Sequence, residues 1–244
     1  MRTFTPRYIV AGLLLCLGSL SPLPAAAAGE TELADLLVKM IQAGRTVMAK
    51  HQVEINNPDL VDKGFTPEIF EKEITQKYLE IAKFDLSQAP KTPQDKLVHA
   101  LLQAGKEVVS DHQPAINRTG IAYKNFIPAV WARKTGEKFE RSTSVRLKLT
   151  SANYRYQGNK PDEFESEVLK LFEDKDYPKG KGYSRTMMQD GKPVLRMIVP
   201  EYAGKACLSC HGEPKGQRDI SGNGKEGWVE GSLAGAISLT MSVK

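Results

Sequence analysis

Between residues 31 and 52 the apolar positions Leu33, Leu36, Leu37, Met40, Ile41, Gly44, Val47 and Met48 recur at steps of three and four. That spacing puts them on one face of an amphipathic helix. Asn56-Asn57-Pro58-Asp59 follows as a turn. Thr66 then stands as an N-cap with Pro67 at the first helical position, opening a helix through Phe70, Ile74, Tyr78 and Ile81. Gln88 to Gln94, with Pro90 and Pro93, breaks the pattern.

The same pattern then returns with an offset of 61 residues. Leu36 matches Leu97, Gln42-Ala43-Gly44 matches Gln103-Ala104-Gly105, and Val47 matches Val108. His51-Gln52 matches His112-Gln113, Ile55-Asn56 matches Ile116-Asn117, and Lys63, Phe65 and Pro67 match Lys124, Phe126 and Pro128. These are twelve identities over the 35 positions from 36 to 70, in order, which indicates an internal duplication with copies at about 36–70 and 97–131. A helical solenoid needs about three or more such units. Two copies predict a helical pair, over residues 29–135, that serves another domain.

From about residue 140 the period changes. Val145-Arg146-Leu147-Lys148-Leu149 alternates and reads as a strand. Pro161-Asp162-Glu163 starts a helix whose apolar face is Phe164, Val168, Leu171 and Phe172. Tyr183 to Met188 and Pro193 to Val199 flank Asp190-Gly191, a strong hairpin signal. Leu233, Gly235, Ile237, Leu239 and Met241 make a closing strand. Residues 136–244 are therefore expected to form an antiparallel sheet with one helix, and the chain as a whole belongs to the α+β class.

The N-terminus sets the expected compartment. Arg2 and Arg7 precede the apolar run Ile9 to Leu20, Pro22 and Pro24 end it, and Ala25 to Ala28 offer small residues for cleavage. This is the layout of a secretory signal peptide over residues 1–28; the run is short of the roughly 20 apolar residues a spanning helix needs. The expectation is a soluble periplasmic product with no transmembrane segment after cleavage. Its charge is mild, 32 basic against 29 acidic residues once Arg2 and Arg7 are removed, or +3. That balance, without a dense basic stripe, argues against nucleic acid as a partner. Only Cys207 and Cys210 remain after cleavage, both in one Cys-Leu-Ser-Cys-His run, so no disulfide framework is expected.

Cys207-Leu208-Ser209-Cys210-His211 is the motif that carries chemistry. In CxxCH two thiols are spaced to reach the two vinyl groups along one porphyrin edge, and the adjacent histidine coordinates iron from the proximal side. A zinc site would need two further ligands, and the other mature histidines (His51, His99, His112) lie far upstream. A thioredoxin-like CxxC would call for a βαβ setting. One motif predicts one covalent haem c, with Cys207, Cys210 and His211 as its anchors.

The second axial ligand is less legible. His51 and His112 each continue an apolar helix face, and His112 is the preferred distal candidate because its copy runs directly into the sheet. Each histidine can equally be a hydrogen-bonded core residue, and Met197 is a methionine candidate ten residues before Cys207. Arg146, Arg155 and Arg196 in or beside the strands are candidate donors to the haem propionates. No distal acid–base group can be argued from spacing, so no catalytic residue is assigned and the chain reads as a haem binder rather than an enzyme such as a peroxidase.

Residues 97–244 also resemble the secreted c-type haem proteins with a PAS-like fold, a domain found as the haem-sensing input of bacterial histidine kinases and chemoreceptors. The resemblance rests on Arg141-Ser142-Thr143, Leu147-Lys148-Leu149, Tyr154-Arg155, Asn159, Pro161-Asp162 and Glu165, followed by the CxxCH motif at the expected distance. It implies a PAS-like antiparallel sheet and either electron transfer or a redox- or ligand-responsive role. The partner would be a redox protein or a membrane sensor protein. Some members of that group use a cysteine as the distal ligand; the equivalent position falls near Tyr123, and no cysteine is present there. The sequence departs again at Tyr156-Gln157, where the group has asparagine-proline.

Overall fold

The computed structural model describes residues 25–243. The expected signal peptide lies outside them but for Ala25–Ala28, which begin the first helix, α1 (Ala25–Lys50). A short α2 (Gln52–Ile55) and α3 (Pro67–Ala82) complete the first copy of the repeat. The second copy is α4 (Pro93–Asp111), α5 (Gln113–Ile116) and α6 (Pro128–Thr143). The two short helices match residue for residue at the 61-residue offset, and so do α3 and α6 and the left-handed residues that end them, Lys83 and Ser144. Caps set the starts: Thr66 Oγ1 accepts from the Ile69 amide at 3.3 Å, and Thr92 forms a reciprocal capping box with Asp95.

The repeated glutamine and asparagine positions staple the copies to each other. Gln52 donates to the Phe126 carbonyl at 3.2 Å while Gln113 donates to the Phe65 carbonyl at 2.9 Å. Asn117 Oδ1 accepts from the Lys63 amide and Asn56 Oδ1 from the Lys124 amide, at 3.3 and 3.1 Å. Lys63 and Lys124 are buried, and each Nζ donates to carbonyls of its own turn, those of Asn57 and Leu60 or of Arg118 and Ile121. Every one of these contacts has a twin, which is the signature of a pseudo-twofold pair. At its centre the equivalent rings Phe70 and Trp131 lie 5.4 Å apart.

β1 (Arg146–Thr150) leads through a loop to α7 (Glu163–Glu173), capped by an Asp162–Glu165 box. The hairpin of β2 (Tyr183–Gln189) and β3 (Lys192–Tyr202) turns at Asp190-Gly191, both with positive φ, as the sequence predicts. A one-turn helix α8 (Leu208–His211) holds most of the CxxCH motif, and β4 (Leu233–Ser242) closes the chain. The sheet is antiparallel in the order β1-β4-β3-β2. One face contributes Leu147, Leu195, Met197, Ile237, Leu239 and Met241 to a core that continues without a break into α1, α3, α4 and α6. The other face packs Ile198 and Ala236 against Phe164, Val168, Leu169 and Phe172 of α7. The result is an α+β protein of three layers, helical pair, sheet and single helix. α6 runs through residue 135, where the sequence suggests a boundary between the helical region and the sheet.

The repeated glycine explains itself at this centre. A Cβ at Gly44 would meet the Trp131 ring at 1.9 Å, and one at Gly105 would meet it at 2.9 Å; the Trp131 indole donates to the Gly105 carbonyl at 3.1 Å. The indole thus lies against both glycines, where larger residues would hold the helices apart. Gly44→Ala is expected to destabilise the fold by about 1–3 kcal/mol through overpacking, read as a lower urea midpoint at unchanged slope. Gly29→Ala, with nothing within 4 Å, is expected to leave the midpoint unmoved; equal midpoints for the two variants would contradict this packing.

Candidate functional site

The CxxCH motif sits on an excursion of the chain between β3 and β4 whose neck is pinned. The Ala203 amide donates to the Ser232 carbonyl at 2.8 Å, and the Gly231 amide donates to the Ala203 carbonyl at 2.7 Å. Inside the loop the outgoing and returning arms pair: the Gly216 amide donates to the Lys225 carbonyl and the Lys225 amide to the Gln217 carbonyl, both at 2.8 Å, and the Trp228 amide donates to the His211 carbonyl at 2.8 Å. The segment from Gly212 to Gly231 is rich in glycine, yet its backbone bonds hold it as an ordered loop.

One arginine ties this loop to the sheet. Arg155, in the segment after β1, donates from Nε and Nη2 to the two oxygens of Glu226 at 2.7 and 2.8 Å. Its Nη1 reaches Asp219 Oδ2 at 2.6 Å, and Nη2 also reaches the carbonyls of Cys210 and Gly224 at 2.9 and 3.2 Å. Glu226 in turn accepts from His211 Nδ1 at 2.7 Å. Burial would raise the Glu226 carboxyl, but the Arg155 guanidinium and then His211 hold it below its ordinary value, so it is a carboxylate and the imidazole donates. Burial pushes the His211 imidazole itself below its ordinary value, against the pull of Glu226. The neutral ring then carries its proton on Nδ1, which leaves Nε2 with the lone pair. Trp228 stacks on the ring at 4.4 Å and 12°.

His211, Cys207 and Cys210 line an open cleft of about 260 Å³ at one end of the sheet, and both thiols are free and half-buried. The ends of β1 and β3 and the start of β4 supply Leu149, Thr150, Tyr202 and Ala236 to its floor. The second copy of the helical repeat supplies a wall through Tyr123, Asn125, Ile127, Val130 and Arg133, and the first copy contributes Arg45. Tyr123 donates to Asn125 Oδ1 at 3.4 Å, and burial, with Cys210 adding to it, raises its phenol above the ordinary value. Arg133 lies over the Tyr156 ring at 4.6 Å, and Arg45 is ion-paired with Glu201.

The structure gathers Cys207, Cys210, His211 and Arg155 at this cleft and leaves the other expected residues elsewhere. His112 is not among the lining residues. Its ring stacks on Phe126 at 4.3 Å and its Nδ1 bonds the Val108 carbonyl at 2.6 Å, so the apolar face it continues turns toward the repeat's own core. His51 packs likewise on Phe65 and bonds Glu73. Met197 is buried in the core. Arg146 pairs with Thr240 four residues from Thr150, about 13 Å along the strand, and lines a separate polar pocket with Arg196 at the far end of the sheet. Arg155 is at the cleft, where its guanidinium is engaged by protein oxygens and anchors the loop. Sequence reasoning missed Glu226, Asp219 and Trp228; acids inside a glycine-rich loop just after CxxCH were the available signal.

Burial works to raise the Asp219 carboxyl, yet hydrogen bonds from Ser221 and Arg155 hold it below its ordinary value. A depressed folded pKa gives stability that is present above the unfolded value, about 4, and is lost as pH falls through the folded one. Wild-type protein is therefore expected to lose stability below about pH 4. Arg155→Gln is expected to lower stability at neutral pH by about 1–3 kcal/mol and to flatten that acid slope. Urea midpoints measured from pH 3 to 7 check both; parallel pH curves for the two proteins would contradict the anchor role.

No curated protein matches the chain. The crystal structure of the cyanobacterial heme-protein Tll0287 is similar to it with a TM-score of 0.43 and 16% identity, over 62% of this chain and 97% of that one. The family model described as Tll0287-like matches residues 25–242, and the chain belongs to the Tll0287-like family.

Proposed function

We propose that this chain is an exported, periplasmic monohaem c-type protein in which a PAS-like sheet and a duplicated helical pair enclose the haem. Membership of the family and its likeness to a protein described as a heme-protein support the cofactor. The donor set fits it. Two free thiols two residues apart and an imidazole whose Nδ1 is already committed line one cleft, so Cys207 and Cys210 each have an S–H to add across a vinyl group and His211 has Nε2 to offer iron. Bound there, haem would supply a one-electron couple and a site for a small ligand. The leader sequence supports export, and among the described residues no helix is long and apolar enough to cross a membrane.

The observation that carries the functional reading is the opposite wall. Apart from His211, no histidine or methionine among the described residues lines the cleft; its carboxylates Glu201 and Asp219 are ion-paired with Arg45 and Arg155, which leaves the phenols, Tyr123 foremost, as candidate oxygen ligands. Two strong axial ligands would suit pure electron transfer. A single imidazole facing tyrosines favours iron that responds to redox state or to an added ligand. A sensory reading is favoured by a second observation. Arg45 on α1 and Val130 and Arg133 on α6 belong to the cleft wall, so a change in the cleft reaches the helical pair directly. That pair would be the surface that reports to a separate membrane partner, with a redox protein as the partner in the electron-transfer case.

Purified protein expressed with haem c maturation is expected to give a c-type spectrum in alkaline pyridine. Cys207→Ala/Cys210→Ala is expected to abolish covalent attachment. Ferrous protein is expected to bind carbon monoxide, and Tyr123→Phe to change the ferric spectrum. A low-spin spectrum indifferent to carbon monoxide would sink the ligand-responsive reading, and lack of the pyridine signature would sink the haem reading itself.

A further inference from the structure

We propose that Glu226 is the positioning residue of the His211 centre, fixing the imidazole with its proton on Nδ1 and lending it anionic character that sets the midpoint potential of iron held at Nε2. The inference rests on the haem reading above. Glu226 lies outside the CxxCH motif, fifteen residues after His211, and reaches it only because the two arms of the loop close on each other.

Three features make this contact more than an incidental hydrogen bond. Its length is 2.7 Å and its acceptor is a carboxylate, a stronger base than the backbone carbonyl that could fill the same role. The Glu226 side chain is only 15% exposed, so water screens the interaction little. The ring is also held on its face by Trp228, so neither Nδ1 nor Nε2 can swing out of its place. A carboxylate that pulls on the Nδ1 proton pushes electron density onto Nε2, which favours the ferric over the ferrous state.

Arg155 works against that push. Its guanidinium binds both oxygens of the same carboxylate and draws on the same lone pairs. The arrangement is therefore a graded one, in which Glu226 donates to the imidazole and Arg155 limits how strongly it does so. Removing either group acts on the iron couple with opposite sign, which a purely structural role would not produce.

The test is a spectroelectrochemical titration of full-length mature holoprotein with a chemical reductant. Glu226→Gln, which keeps a hydrogen-bonding side chain of the same size, is expected to shift the ferric–ferrous equilibrium about tenfold toward ferrous, or 59 mV upward. Arg155→Gln is expected to move it the other way. A Glu226→Gln midpoint within twofold of wild type would overturn the proposal, as would shifts of the same sign in both variants. The apoprotein gives a readout independent of haem, the 15N chemical shifts of His211. The Nδ1-protonated tautomer is expected in wild type and its loss in Glu226→Ala, which removes the acceptor. An Nε2-protonated ring in wild type would refute the proposal even where haem attaches normally; the expected tautomer in a chain that takes no haem would instead uphold Glu226's hold on the ring while refuting the cofactor.

Discussion

A single guanidinium carries the site. Arg155 gathers Glu226, Asp219 and the carbonyls of Cys210 and Gly224, and through Glu226 it fixes the His211 imidazole at the cleft. The loop between β3 and β4 has little apolar mass of its own, so its shape depends on backbone pairing at the neck and on this one cation. Charge-assisted bonds to carboxylates held away from water are strong enough for that task. Without them Cys207, Cys210 and His211 would still be neighbours in sequence but would no longer face the wall built by the helical repeat.

The duplication shows how one unit is used twice for different ends. Both copies keep the glutamine and asparagine staples, the buried lysine and the glycine beside Trp131, because these hold the copies to each other. Only the second copy turns its loop and the start of its last helix to the cleft, through Tyr123, Asn125, Ile127, Val130 and Arg133. The histidine pair follows the same logic. His51 and His112 are kept in register by the repeat and pack on equivalent phenylalanines, a role that serves both copies alike.

What could be read from the sequence was local or periodic. The helix caps at Thr66 and Asp162, the Asp190-Gly191 hairpin and the offset of 61 residues all depend on neighbours in the chain, and the structure keeps each of them. The CxxCH motif is legible for the same reason. For His112, a helical face shows that a residue is turned inward, not which inward surface it meets. For Arg146, alternation along a strand does not say which end of the strand borders a site. Glu226 and Asp219 were invisible because they meet Arg155 across 71 and 64 residues, a pairing that only the closed loop creates.

The account stands or falls on covalent attachment at Cys207 and Cys210. Intact-mass spectrometry of the exported protein, denatured in acid to remove any loosely held group, measures this most directly. The account predicts the mass of a chain lacking its leader plus one haem, with the added mass on the peptide containing Cys207 and Cys210. The bare mass of the chain, or haem released on denaturation, would contradict it.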